Sequence, residues 1–201
     1  MSESYREKAI QIAERLLQTG LQIAEQCELT VTKRGFVHPK LLALKLLCRT
    51  LPNFKGVVVL TREKLLVEAR VLARCCYENL FMVGGLSAEG DAFAERMIAD
   101  DRAGRNKRLK FAFESESLFE TLSQETQVAV TEAYEALRTG QKKEFLNPKD
   151  ASGIGPFKQA YIAYSQFSGD AAHPTITALA RHWSPGEESH HRNVRHLTTA
   201  E

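Results

Sequence analysis

A chain of 201 residues with 43% apolar and 26% charged residues has the balance of an ordinary globular domain and enough length for one self-supporting core. Its formal net charge of +2 is too small to make bulk electrostatic attraction to nucleic acid the organising feature. Four cysteines, Cys27, Cys48, Cys75 and Cys76, lack CxxC spacing and read as small apolar core residues of a reducing, cytoplasmic protein.

The N-terminal MSESYREKAIQ carries early acidic residues and no long apolar run, so neither a signal peptide nor a membrane span is expected. From Ser4 to about Glu28 the spacing predicts a first helix: Ser4 and Glu7 form a capping box, and Ile10, Ala13, Leu16, Leu17, Leu21 and Ala24 recur at helical intervals. Thr30 to Gly35 is a polar connection. His38-Pro39 opens a second helix with proline in its first turn, which runs to about Arg49 before Leu51-Pro52-Asn53 breaks it.

Lys55 to Leu60 (KGVVVL) has strand-like composition but no partner strand, and reads as a buried approach to a third helix starting near Thr61. Gly84-Gly85 is expected to stop that helix, and Ser87 to cap a fourth through Phe93, Ala94, Met97 and Ile98. Asp100 to Lys110 (DDRAGRNKRLK) is the densest charge cluster. With no aromatic residues interleaved to stack on bases, it reads as solvated helix or turn surface.

A further helix is expected from Ser115 to Thr139, then a loop from Lys142 to Pro156, then a helix from Phe157 with a kink at Gly169-Asp170 and a resumption from Pro174 to Trp183. Ser184 to Glu201 has no apolar periodicity and reads as a flexible tail, leaving 1–183 as the helical domain. Six or seven helices and no confident strand place the chain in the all-α class, as a single-domain bundle.

Two stretches carry the candidate chemistry. Glu68 to Met82 is nearly all apolar yet holds Arg70, Arg74 and Glu78 at four-residue intervals, which stack on one stripe of a helix. Desolvating such ions costs several kcal/mol each unless further hydrogen bonds reach them. Partners are offered by Tyr161, Tyr164, Ser165 and Ser168, one hydroxyl-bearing face, followed by His173-Pro174. The two stretches are therefore expected to meet in a buried polar pocket, with Arg74, Glu78 and His173 as reactive groups and Arg70, Asn79, Tyr161, Tyr164 and Ser168 lining it.

The rival readings are a plain intrahelical Arg74-Glu78 pair and a structural His173. A Ser168-His173 nucleophile and base is disfavoured by their spacing across a kink and by the lack of a third group to orient the imidazole. Neither paired Glu-x-x-His nor HExxH occurs, and the tail histidines His190, His191 and His196 make a poor site, so no metal is expected. Without GxxxxGK[ST] or GxGxxG, no nucleotide-loop motif and no cofactor are expected.

EARVLARCCYENLFMVGGL and, about eighty residues on, NPKDASGIGPFKQAYIAYSQFSGDAAHPTITAL resemble a large bacterial family of helical proteins of unknown function. Its signatures are Ala-Arg-x-Leu-x-Arg-x-x-x-Glu and Tyr-x-x-x-Ser followed by His-Pro. The resemblance runs from about Leu41 to Trp183 and puts Arg74, Glu78, Tyr164, Ser168 and His173 on the family's polar pattern.

That layout is similar to the HEPN superfamily, whose members include metal-independent ribonucleases and nucleotide-binding partners of toxin-antitoxin and defence systems. The resemblance implies a homodimer or partner subunit and an RNA or nucleotide ligand. The Arg-x4–6-His signature of those ribonucleases is missing, because Arg192 stands too close to His196 and Arg74 is followed by no histidine on its helix. The family also continues into another helix after its His-Pro pair. A polar segment stands there in this chain, so that helix is lost, truncated or supplied by a partner. A ligand-binding helical domain, a HEPN-like ribonuclease and a non-enzymatic interaction protein are the three functional readings.

Overall fold

A computed structural model describes residues 3–29, 33–138 and 145–171, with the dipeptides Trp183–Ser184 and Asn193–Val194. The described chain is helical, as its periodicity predicts. Helix α1, Glu3–Gln26, buries Ile10 and Leu17 while Ile12, Leu16 and Ile23 stay exposed. It starts one residue before its expected cap, so Ser4 lies inside the first turn. Helix α2, Pro39–Arg62, begins as expected: Pro39 needs no amide partner in the first turn, and His38 Nδ1 accepts the Lys40 N–H at 3.3 Å. Arg62 returns to Glu14 of α1 at 2.7 Å, fixing one helix along the other.

Helix α2 runs straight through Pro52, where a break was expected. Proline removes one helical hydrogen bond, yet burial of Leu51 and Val58 on either side keeps the helix going. The β-branched Val57–Val59 stretch therefore forms the second half of α2. The turn comes instead at Lys64, a non-glycine residue at φ 61°, with the Leu65 N–H reaching back to the Leu60 carbonyl at 2.8 Å.

Helix α3, Leu66–Glu89, is the strut on which α2 and the later helices pack. It does not stop at Gly84-Gly85. Both glycines are buried mid-helix, where a Cβ on Gly84 would stand 2.8 Å from Phe157 and one on Gly85 2.3 Å from Phe93. The pair is a packing surface. The helix ends at Gly90, at φ 55°, whose N–H bonds the Leu86 carbonyl at 3.0 Å. Ser87 lies within α3 and caps nothing new. A close approach at Gly56 repeats the device between α2 and Leu72 of α3.

Helix α4, Asp91–Glu114, buries Phe93 and Ala94 and carries the 100–110 charge cluster on helical surface, as expected. The single helix expected from Ser115 is two, α5 at Glu116–Glu120 and α6 at Gln124–Arg138. Ser123 separates them, its hydroxyl accepting the Thr126 N–H at 3.3 Å and so starting α6. The expected loop before Pro156 contains helix α7, Pro148–Ile154. Asn147 caps it through the Asp150 N–H at 2.9 Å, with Pro148 in its first turn.

Helix α8, Ala160–Ala171, runs through Gly169-Asp170 with no interruption. Eight α-helices are thus described, against six or seven expected, together with a 3-10 turn at Gly35–Val37. Trp183 is not helical: Trp183–Ser184 pairs antiparallel with Asn193–Val194. The rest of the expected tail, and the resumed helix over 174–182, lie outside the described residues.

The core sits where α3, α4, α7 and α8 meet. Phe81 and Phe93 have no exposure, and Leu86, Ala94, Leu146, Ala151 and Tyr164 close around them. No helix among the described residues is long and apolar enough to cross a membrane.

Candidate functional site

Arg74 and Glu78 lie one turn apart on α3, so their side chains stack on the face turned toward α8. Arg74 Nη2 stands 3.0 Å from Glu78 Oε1. From α8, 86 residues further along the chain, the Tyr164 hydroxyl donates to the same Glu78 oxygen at 3.1 Å. The Arg74 guanidinium lies 5.8 Å from the Tyr164 ring centre, within cation-π range. One carboxylate is therefore held by a cation and a phenol from two distant segments.

The aromatic floor explains why Tyr164 is there. Its ring meets Phe81 edge-on at 5.6 Å and Tyr161 at 5.6 Å, and only 7% of the residue is exposed. Tyr161 in turn packs 6.5 Å from Phe81, so its role in the structure is support beneath the site. Apolar contact holds the rings while the hydroxyl of Tyr164 reaches the rim.

Tyr164 is buried, but Arg74 and Glu78 are half-buried, not fully buried as the apolar character of α3 suggests. The side chains of Arg74 and Glu78 keep 30% and 34% of their exposure. The physical reason is length: both stems lie along the helix surface while the charged ends reach toward water. Arg74 Nε is nonetheless buried and has no hydrogen-bond partner among the described residues.

Burial works against the charge of Arg74, but the Tyr164 hydroxyl and the negative charge of Glu78 outweigh it and hold the guanidinium above its ordinary pKa. Burial first, and then the nearby Glu78 charge, push the Tyr164 phenol upward against the opposing pull of Arg74. Near neutral pH the arrangement is thus a cation and a neutral hydroxyl donor, both directed at the Glu78 carboxyl.

The remaining predicted residues divide. Arg70 is half-buried one turn before Arg74, and Ser168 is half-buried on α8. Ser165 breaks the expected hydroxyl face, because it is exposed and donates to the Ile162 carbonyl of its own helix at 2.8 Å. Asn79 does not join the triad. One residue past Glu78, it turns about 100° around the helix and donates to the Thr50 hydroxyl of α2 at 3.0 Å. Thr50, which the sequence reading missed, could have been suspected only by knowing that α2 continues past it. His173 lies outside the described residues, as do His190, His191 and His196. Among the described residues no three His, Cys, Asp or Glu side chains cluster with metal-binding geometry.

Cys76, also facing α2, has its thiol pushed up from 9.0 to about 11 by burial, with Cys75 adding to the shift. A folded-state value above the unfolded one means full stabilisation below about pH 9, lost as pH rises through about 11. Chemical-denaturation midpoints are therefore expected to fall between pH 9 and 11, and less steeply in Cys76→Ala measured over the same range.

A family model described as a family of unknown function matches residues 40–191. This span is close to the Leu41 to Trp183 stretch that carries the resemblance seen in the sequence. No curated protein matches the chain, and no solved structure does.

Proposed function

The chain belongs to DUF5677, a family of unknown function, and from that premise we propose that this helical domain binds a small phosphorylated ligand bearing a hydroxyl, such as the end of a nucleotide, at Arg74, Glu78 and Tyr164. The observation that supports this most is the convergence of a cation, a carboxylate and a phenol from α3 and α8 at a half-exposed rim. Arg74 supplies hydrogen-bond donors for an anion, in a fork suited to phosphate oxygens. Glu78 supplies the acceptor for a ligand hydroxyl. The partly exposed guanidinium is within reach of a ligand, and its orphaned Nε is the kind of unmet donor that a bound anion compensates by drawing the side chain outward.

A purely structural role explains less. An exposed intrahelical pair contributes only about 0.3–0.5 kcal/mol, which does not by itself account for a buried Nε without a partner among the described residues. The four cysteines are free, but Cys27 and Cys48 are exposed and Cys75 and Cys76 half-buried, so they are not the core residues their apolar character predicts; a reducing, cytoplasmic setting is part of the proposed reading.

Calorimetric titration with adenosine 5′-monophosphate, and separately with inorganic phosphate, tests the reading. Wild-type protein is expected to bind the nucleotide more tightly than phosphate alone. Arg74→Met should weaken nucleotide binding at least tenfold, the value of about one charge-assisted hydrogen bond, while shifting stability by under about 1 kcal/mol. Equal binding by wild type and Arg74→Met, or none by wild type, would refute it. Metal-independent RNA cleavage lost in the same variant would instead support the HEPN-like ribonuclease reading, with His173 as the proton carrier to test next.

A further inference from the structure

On the other side of α3 from the Arg74 triad, α1, α2 and α3 enclose an open cleft of about 490 Å3 that no residue of the polar site lines. Its walls are Ile23, Leu44, Leu47, Leu80 and Val83. Ile23 leaves 55% of its surface to solvent at one edge. Its neutral polar groups are already engaged with one another: Asn79, only 5% exposed, donates to Thr50, and the Cys76 thiol sits 4.0 Å from the Thr50 carbonyl. The upward shift of Cys76 keeps that thiol protonated, so the floor carries no charge. Lys40, exposed in the first turn of α2, is the one charged residue along the lining among the described residues.

We infer that this cleft binds a small amphiphile with an apolar body and a single anionic head, a medium-chain carboxylate in chemical class, its chain among the leucines and its head against Lys40. The cleft's volume of about 490 Å3 lies within the about 300–1,000 Å3 of pockets for drug-sized ligands, so one small molecule can occupy it. A hydrocarbon chain asks nothing of the floor, where Asn79 and Thr50 satisfy each other, and covers the apolar surface that Ile23 exposes. The lone cation selects the sign of the head group. This inference stands apart from the nucleotide reading, since none of its residues belongs to the triad.

The test uses the full chain, with decanoate and neutral decanol as probes in calorimetric titration below their aggregation limits. Wild type is expected to bind both saturably at one site, decanoate more tightly. Lys40→Glu, a surface change that should leave the fold intact, is expected to weaken decanoate at least threefold and leave decanol within twofold. Leu44→Trp, which fills the cleft, should abolish both while circular dichroism shows native helicity. If that variant fails to fold, Lys40→Glu still decides. Absence of saturable binding by wild type, equal decanoate affinity in Lys40→Glu, or concentration-dependent dimerisation that decanoate does not compete with would overturn the inference.

Discussion

Phe81→Ala is expected to destabilise the protein by about 3–5 kcal/mol, the range for deleting a buried phenylalanine and leaving a cavity. The ring has no exposure, and it lies 6.3 Å from Tyr77, 6.5 Å from Tyr161 and 5.6 Å from Tyr164. Three aromatic neighbours anchored in two helices cannot all move in to fill the space. Because Tyr164 leans on Phe81, the Tyr164 to Glu78 hydrogen bond should loosen as well. The variant is therefore expected to lose nucleotide affinity together with stability, whereas Arg74→Met loses affinity alone. Urea unfolding followed by circular dichroism gives the first quantity and titration the second. A stability loss below about 1.5 kcal/mol would mean that this cluster is not the centre of the core.

Gly155→Ala is the second large effect, expected at about 3 kcal/mol or more, at the upper end for overpacking. A Cβ there would stand 2.7 Å from both Cα and the carbonyl carbon of Gly84, and 2.9 Å from its oxygen. These are backbone atoms of a central helix and cannot swing aside. Backbone strain at position 155 plays no part, since φ −92° and ψ −172° suit any residue. Gly153→Ala is the control: nothing lies within 4 Å of its Cβ position, so its effect should stay within about 0.5 kcal/mol. Similar unfolding midpoints for the two variants would show that α3 and the segment before α8 do not approach so closely.

Periodicity revealed the helical class and the bounds of α1 because those depend on local spacing of apolar residues. The meeting of Arg74, Glu78 and Tyr164 was also legible, since charged and hydroxylated side chains on apolar helices need one another. What failed were the punctuation marks. Pro52 and Gly84-Gly85 look like stops, but whether they end a helix depends on what packs there: Leu51 and Val58 carry α2 through the proline, and Phe157 and Phe93 need the space of the missing side chains. Asn79 faces α2 and not the triad for a related reason. Adjacency to Glu78 in sequence places it a quarter turn away in space, and its partner Thr50 belongs to a stretch that reads as the end of a helix. Depth of burial was beyond the pattern too, because a long side chain rooted in an apolar helix can still bring its end to water.

The hydrogen bond joining Tyr164 to Glu78 spans 86 residues of sequence, and this separation bears on how the protein is made. At translation rates of 5–20 residues per second, roughly 4–17 s pass between the synthesis of Phe81 and that of Tyr164. Through that interval the side of Phe81 that Tyr161 and Tyr164 cover in the folded protein waits for α8, leaving apolar surface of the kind that makes incomplete chains prone to aggregation.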